Sequence, residues 1–241
     1  MIRTKKEKSM SYDQLENNKV YLSGIVSTEP VFSHEVMGEG FYDFTLDVQR
    51  LSGQYDKIPL TISERLMGDM ALGVGEKIGV YGQLRSYNKV VGERSKLVLK
   101  VFVRELGIGD DQNPNYIEIE GYVCKPTVYR TTPFGREICD VLLAVNRAYN
   151  KSDYIPCIAW GRNARFVKTL SVGDRVAVSG RIQSREYQKK LSETEVKTMT
   201  AYEVSVSKLA AFDNAEDFDL EGEFDLYSLA RTGGESFDTV V

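Results

Sequence analysis

No stretch of this 241-residue chain holds 18 consecutive apolar residues, so the sequence excludes a membrane-spanning helix. Its basic opening, MIRTKKEKSM, has no apolar run of signal-peptide type, and the expected location is the cytoplasm, in association with the nucleoid. Histidine is nearly absent. His34 is the only one and reads as a loop residue of the first half, which leaves no Ser-His-Asp or Cys-His pair. The cysteines (Cys124, Cys139 and Cys157) are odd in number, widely spaced and set in apolar segments, a pattern of reduced, buried thiols. Without His and Cys clustered at ligand spacing, no metal and no cofactor are expected. The glycine-rich GVGEKIG, residues 73–79, lacks the Gly-Lys-Ser/Thr ending of a phosphate loop and precedes a strand, so it reads as a turn. Asp110 and Asp111 lie in a polar stretch and read as solvating. No catalytic constellation remains, and the chain is not expected to be an enzyme.

What is present is charge unevenly spread. The net charge of −4 divides into about −1 for residues 1–114, about +5 for 115–212 and about −8 for 213–241. A basic module followed by an acidic tail is a charge pattern found among nucleic-acid binders. The 42% apolar and 27% charged content supplies enough apolar mass for two domains of about 100 residues.

Residues 1–17 are polar and aperiodic, and read as a flexible arm. Strand-like alternation then appears near residues 20–24, 44–48, 58–62, 78–82 and 97–103, with a short helix expected between the third and fourth runs. Five strands with that helix placement make an OB-fold, a small Greek-key barrel. Residues 107–114 (GIGDDQNP) read as a linker, after which the pattern recurs. Residues 116–121 match 19–24, and 140–147 match 43–50, both at an offset of 97; 172–180 match 74–82 after a one-residue slip. An offset held across three strands marks a tandem duplication. The expected architecture is therefore all-β: a first OB-fold over 18–106, a second over 115–212, and a disordered acidic tail over 213–241.

Comparing the copies assigns faces. In KIPLTIS (57–63), Ile58, Leu60 and Ile62 alternate with Lys57, Pro59, Thr61 and Ser63, so the first set faces the core and the second faces water. Shared register makes Ile155, Cys157 and Ala159 the core set of the matching YIPCIAW, and places Tyr154, Pro156, Ile158 and Trp160 outside. Parity on the later strand sends Arg181, Gln183, Arg185 and Tyr187 outward, followed by Lys189 and Lys190 in the hairpin, and Tyr149 stands just past Arg147. Tyr149, Tyr154, Trp160 and Tyr187 are the expected base-stacking residues; Arg147, Lys151, Arg162, Arg181 and Arg185 are expected to follow the phosphates. The first copy has Ser52, Lys57 and Ser63 at three of the four aromatic positions. It keeps Tyr81, Arg85 and Tyr87, for which weaker contacts are expected.

Residues 115–209 resemble the bacterial single-stranded DNA-binding proteins. The shared features are Ile117, Ile119 and Gly121, the run Val141, Leu143 and Ala144, Trp160-Gly161 ahead of the helix, and VGDRVAVSGRI from Val172. The resemblance implies OB-folds assembled in fours, hence a homodimer of this two-fold chain, and DNA-stacking aromatics at the positions of Tyr149, Tyr154, Trp160 and Tyr187. The family's tail tip recruits replication and repair enzymes; this chain ends Ser236-Phe-Asp-Thr-Val-Val241 instead of closing with Pro-Phe. The expected function is binding and protection of single-stranded DNA without sequence preference, during replication, recombination or repair. The alternatives are a primosomal-type accessory protein and a protein-interaction scaffold.

Overall fold

The structure, a computed structural model, describes residues 17–68, 72–91, 94–112, 114–148, 151–190 and 196–212. Residues 1–16 of the expected arm, the expected tail and Tyr149 lie outside them. The described chain is mostly β. Its first half runs β1 (Asn18–Val26), β2 (Val31–Val36), β3 (Glu39–Gln49), β4 (Tyr55–Ser63), α1 (Glu64–Met67), β5 (Lys77–Val91) and β6 (Arg94–Ile108). The second half repeats that order with β7 (Asn115–Val123), β8 (Val128–Thr131), β9 (Glu137–Arg147), β10 (Lys151–Trp160), α2 (Gly161–Val167), β11 (Arg175–Lys190) and β12 (Val196–Ala211).

In each half five strands close into a ring. β1 pairs with β5, β5 with β6, β6 with β4 in parallel, β4 with β3, and β3 returns to β1. The second half closes through the equivalent pairs, with β10 and β12 as the parallel seam. Along the central stretch of each ring strand alternate residues are apolar and point inward, giving each ring one continuous interior. Leu22, Leu46, Leu60 and Val101 fill the first interior and Ile117, Leu143, Ile155 and Val204 the second, all fully buried. Cys139 and Cys157 are buried thiols; burial raises the thiol pKa of both.

Each half also carries a sixth, short strand that periodicity did not reveal. All six side chains of β2 are exposed, and its pairing with β3 slips between Phe32 and His34. A strand with no buried face has no apolar alternation to read. His34 therefore sits on a strand opposite Phe41, not in a loop.

Glycine is required where the long strands bend. The ladders shift register at Tyr81/Gly82 and at Ser179/Gly180, and a Cβ on Gly180 would press into the Ser205 carbonyl. Gly180→Ala is expected to cost about 1–3 kcal/mol through this overpacking, read as a lower urea midpoint.

The halves are joined edge to edge. β1 pairs antiparallel with β7, setting Lys19 opposite Glu118 and Tyr21 opposite Tyr116. One sheet thus runs β6-β5-β1-β7-β11-β12 across the molecule. This pairing uses backbone groups that would otherwise form open strand edges.

Candidate nucleic-acid interface

The outer face of β10 is built by a strand that ends abruptly. Trp160 is extended (φ −121°, ψ 145°), and Gly161, at φ +52°, turns the chain at once into α2. A side chain at Gly161 would disfavour that left-handed conformation. Trp160 is left 38% exposed at the strand's end and Tyr154 45% exposed near its start, while Ile155, Cys157 and Ala159 are buried beneath them. Tyr187 is 37% exposed on the β11–β12 arm, opposite Met199. Lys151, Arg162 and Arg185, each two or three residues along the chain from one of these rings, are exposed, with Arg185 at 3.9 Å from Glu203. Lys189 and Lys190 continue the β11 arm.

Alternation sets the side of the sheet a residue occupies, but not what covers it. Ile158 is on the outer side yet only 5% exposed. It lies in register between Ser205 and Asp140, and Asp140 is held by a two-pronged ion pair from Arg130. Thr61 and Ser63 of the first half, expected to face water, are buried as well. The Thr61 hydroxyl donates to Asp43 at 2.6 Å, and Ser63 caps α1 by accepting the Leu66 N–H. Gln183 is also buried, donating to Glu203 at 2.6 Å.

Two of the expected phosphate-binding arginines, Arg147 and Arg181, and Arg85 of the first half are anchored in a paired latch between the halves. Asp56 is 1% exposed and accepts from Arg50 at 2.5 and 2.9 Å, from Arg181 of the second half at 2.9 Å and from the Ser184 N–H at 2.8 Å. Ser184 Oγ accepts the Lys57 N–H at 3.0 Å. The mirror arrangement surrounds Asp153, also 1% exposed. It accepts the Ser86 N–H at 2.7 Å and Arg147 at 3.4 Å, with Arg85 of the first half at 3.6 Å, and Ser86 Oγ accepts the Tyr154 N–H at 2.7 Å. Asp56 and Asp153, like Arg50 and Arg147, sit 97 residues apart. The repeat thus contained the signal for this pair, although acids followed by bulky residues do not announce burial.

The electrostatics around Asp153 are unbalanced. Burial lowers the Arg85 pKa to about 10; Asp153 opposes this, while the neighbouring Arg147 and Arg104 charges add to it. Two guanidinium groups, Arg85 and Arg147, share the one Asp153 carboxylate, with Arg104 close to Arg85, which leaves surplus positive charge beside Tyr154. Tyr81 stacks on Tyr21 at 4.5 Å in the sheet that joins the halves.

The first half also carries an aromatic group that sequence comparison missed. Phe41 stacks against His34 at 5.0 Å and meets Phe102 at 5.8 Å. Arg104 and Arg85 lie over the Phe102 ring at 5.2 and 6.0 Å, and Lys100 lies 5.5 Å over Tyr87. Lys100 is ion-paired with Asp43. Burial resists ionisation of Asp43, but hydrogen bonds from Lys100 and Thr61 outweigh it and lower its pKa. Burial likewise opposes the Lys100 charge, and its contacts with Asp43 and Tyr87 more than restore it, raising the pKa. The stability contributed through Asp43 is therefore present above the ordinary aspartate range and lost as pH falls through its lowered pKa. The Lys100 contribution is complete below the ordinary lysine range and lost as pH rises through its raised pKa. Asp43→Asn is expected to flatten the acid limb of the urea midpoint against pH.

Residues 114–211 match the model of the Single-strand binding protein family. Single-stranded DNA-binding protein 1 of Staphylococcus aureus is 37% identical over 81 residues, which cover 31% of this chain and 48% of that protein. Single-stranded DNA-binding protein A of Bacillus subtilis is 33% identical over 81 residues, covering 31% and 47%. The chain thus spans about half the length of the curated relatives it matches. The wild-type single-stranded DNA binding protein from Thermus aquaticus is similar in fold, with a TM-score of 0.63 at 20% identity, over 84% of this chain and 96% of that one.

Proposed function

We propose, from the match of residues 114–211 to the single-strand binding protein family, that this protein binds single-stranded DNA without sequence preference and protects it in replication, recombination or repair. The observation that carries the reading is the pair of exposed rings, Tyr154 and Trp160, on one strand, with exposed Lys151 and Arg162 close to them along the chain. Every base has a π-face, so stacking on such rings is tolerant of sequence, while the surrounding charges track the phosphates. On this reading the chain is two tandem OB-folds, residues 18–106 and 115–212, joined by a short linker. Two chains would then supply four folds as a homodimer, and the acidic segment 213–241 is the candidate contact for replication or repair enzymes. The work done is binding, with no chemical step.

Trp160 is the sole tryptophan and reports directly on the surface. Oligothymidylate is expected to quench its fluorescence strongly, and a duplex of equal length to do so weakly. An unquenched Trp160 with oligothymidylate at low salt would sink the reading. Affinity should fall linearly on a log–log plot against salt, with a slope of about −0.7 per phosphate neutralised. Removing the exposed Arg185 should make that slope shallower, whereas a slope indifferent to Arg185→Ala would remove it from the phosphate set.

A further inference from the structure

In the first half Ser63 stands where the second half has Trp160. Strand registers show what took its place. In the second half Trp160 pairs across the sheet with Ile138; in the first, Ser63 pairs with Phe41. The large ring has moved to the neighbouring strand, opposite a small residue. The same exchange occurs at the parallel seam. There Ile158 lies beside Ser205 in the second half, and Thr61 beside Phe102 in the first. Both halves thus keep large apolar side chains at one place on the barrel, Trp160 with Ile158 in the second and Phe41 with Phe102 in the first, carried by different strands. In the first half Phe41 lies opposite Ser63, Phe102 lies beside Thr61, and the two rings meet at 5.8 Å.

Charge favours an anionic polymer on this patch. Arg104 is the extra residue of the bulge opposite Tyr81 and Gly82, and it is exposed with its guanidinium over Phe102. Bulges commonly re-aim a side chain in this way. Arg85 lies over the same ring and extends to Asp153, whose chain neighbour is Tyr154. Two of the acids nearby are engaged, Asp43 by Lys100 and Asp153 by Arg85 and Arg147, and Glu39 lies 3.8 Å from Arg65. Contacts therefore run unbroken from Phe41 through Phe102, Arg85 and Asp153 to the surface of the second half.

We infer that Phe41 and Phe102, with Arg104, form a second stacking site for single-stranded DNA on the first half, and that one strand runs from it across the latch to Tyr154 and Trp160. The inference rests on the proposed function, and the test separates the two. Trp160 quenching by an oligothymidylate of about 10 nucleotides, within the span of one such fold, reports on the second half alone. A Phe41→Ala/Phe102→Ala variant should leave that titration unchanged. It should lose on the order of tenfold or more in affinity for an oligomer of about 30 nucleotides, since each stacked base contributes substantially. Equal losses for both lengths, or none for the longer, would overturn the inference. Independently of the variant's folding, ultraviolet crosslinking of the wild-type chain to a 5-iodouracil-substituted 30-mer should mark Phe41 or Phe102 as well as Trp160 or Tyr154. Crosslinks confined to the second half refute the inference while leaving the proposed function intact. Absence of both quenching and crosslinks refutes both.

Discussion

Asp153→Ala is expected to lower stability by about 3–5 kcal/mol, and Asp56→Ala by a similar amount. Each carboxylate is 1% exposed, and each binds one arginine from its own half and one from the other. Deleting it leaves two guanidinium groups close together without their counter-charge, and a Ser86 or Ser184 N–H without its acceptor. The arginines are 20–37% exposed and water can partly rescue them, which favours the lower end of the range. Asparagine should cost less, because its carbonyl oxygen can still accept the serine N–H. Because Arg181 and Ser184 reach Asp56 from the other half, Arg181→Ala and Asp56→Ala should be strongly non-additive in a double-mutant cycle. Urea unfolding measures all of these. Additive losses, or a loss below about 1 kcal/mol for Asp153→Ala, would show that the latch does not hold the halves.

Trp160→Ala should weaken oligothymidylate binding by about 1–3 kcal/mol, roughly 5- to 150-fold, with little change in stability. The ring is 38% exposed at the end of its strand, so truncating it removes stacking area without opening the core. Tyr154→Ala should cost a comparable amount and Trp160→Phe much less, because phenylalanine keeps a π-face. Labelled-oligonucleotide titration at fixed salt separates these variants without needing the tryptophan signal. Identical affinities for Trp160→Ala and wild type would exclude stacking at this position.

The anchoring of Arg147, Arg181 and Arg85 revises how this surface works. Parity places them outside, and a phosphate role is the simplest reading of an outward arginine on a basic face. In the fold they contact the buried carboxylates of Asp56 and Asp153 and so tie the halves together. Of the expected phosphate-binding residues, Lys151, Arg162 and Arg185 are exposed. Substituting Arg181 would therefore change stability as well as affinity, and only a variant at Lys151, Arg162 or Arg185 isolates the phosphate contribution.

The sequence by itself determined the strand alternation, the repeat at an offset of 97, the burial of Ile155, Cys157 and Ala159, and the exposure of Tyr154 and Trp160. These follow from period-two chemistry, which is written locally and survives duplication. Tertiary structure alone decided which outward groups meet. Alternation could not show that Arg181 finds Asp56, because those residues are 125 apart and belong to different halves. Nor could position-by-position comparison see Phe41 and Phe102 as counterparts of Trp160, since the ring had crossed to adjacent strands. A sheet face is a two-dimensional surface, and a single strand's pattern records only one row of it.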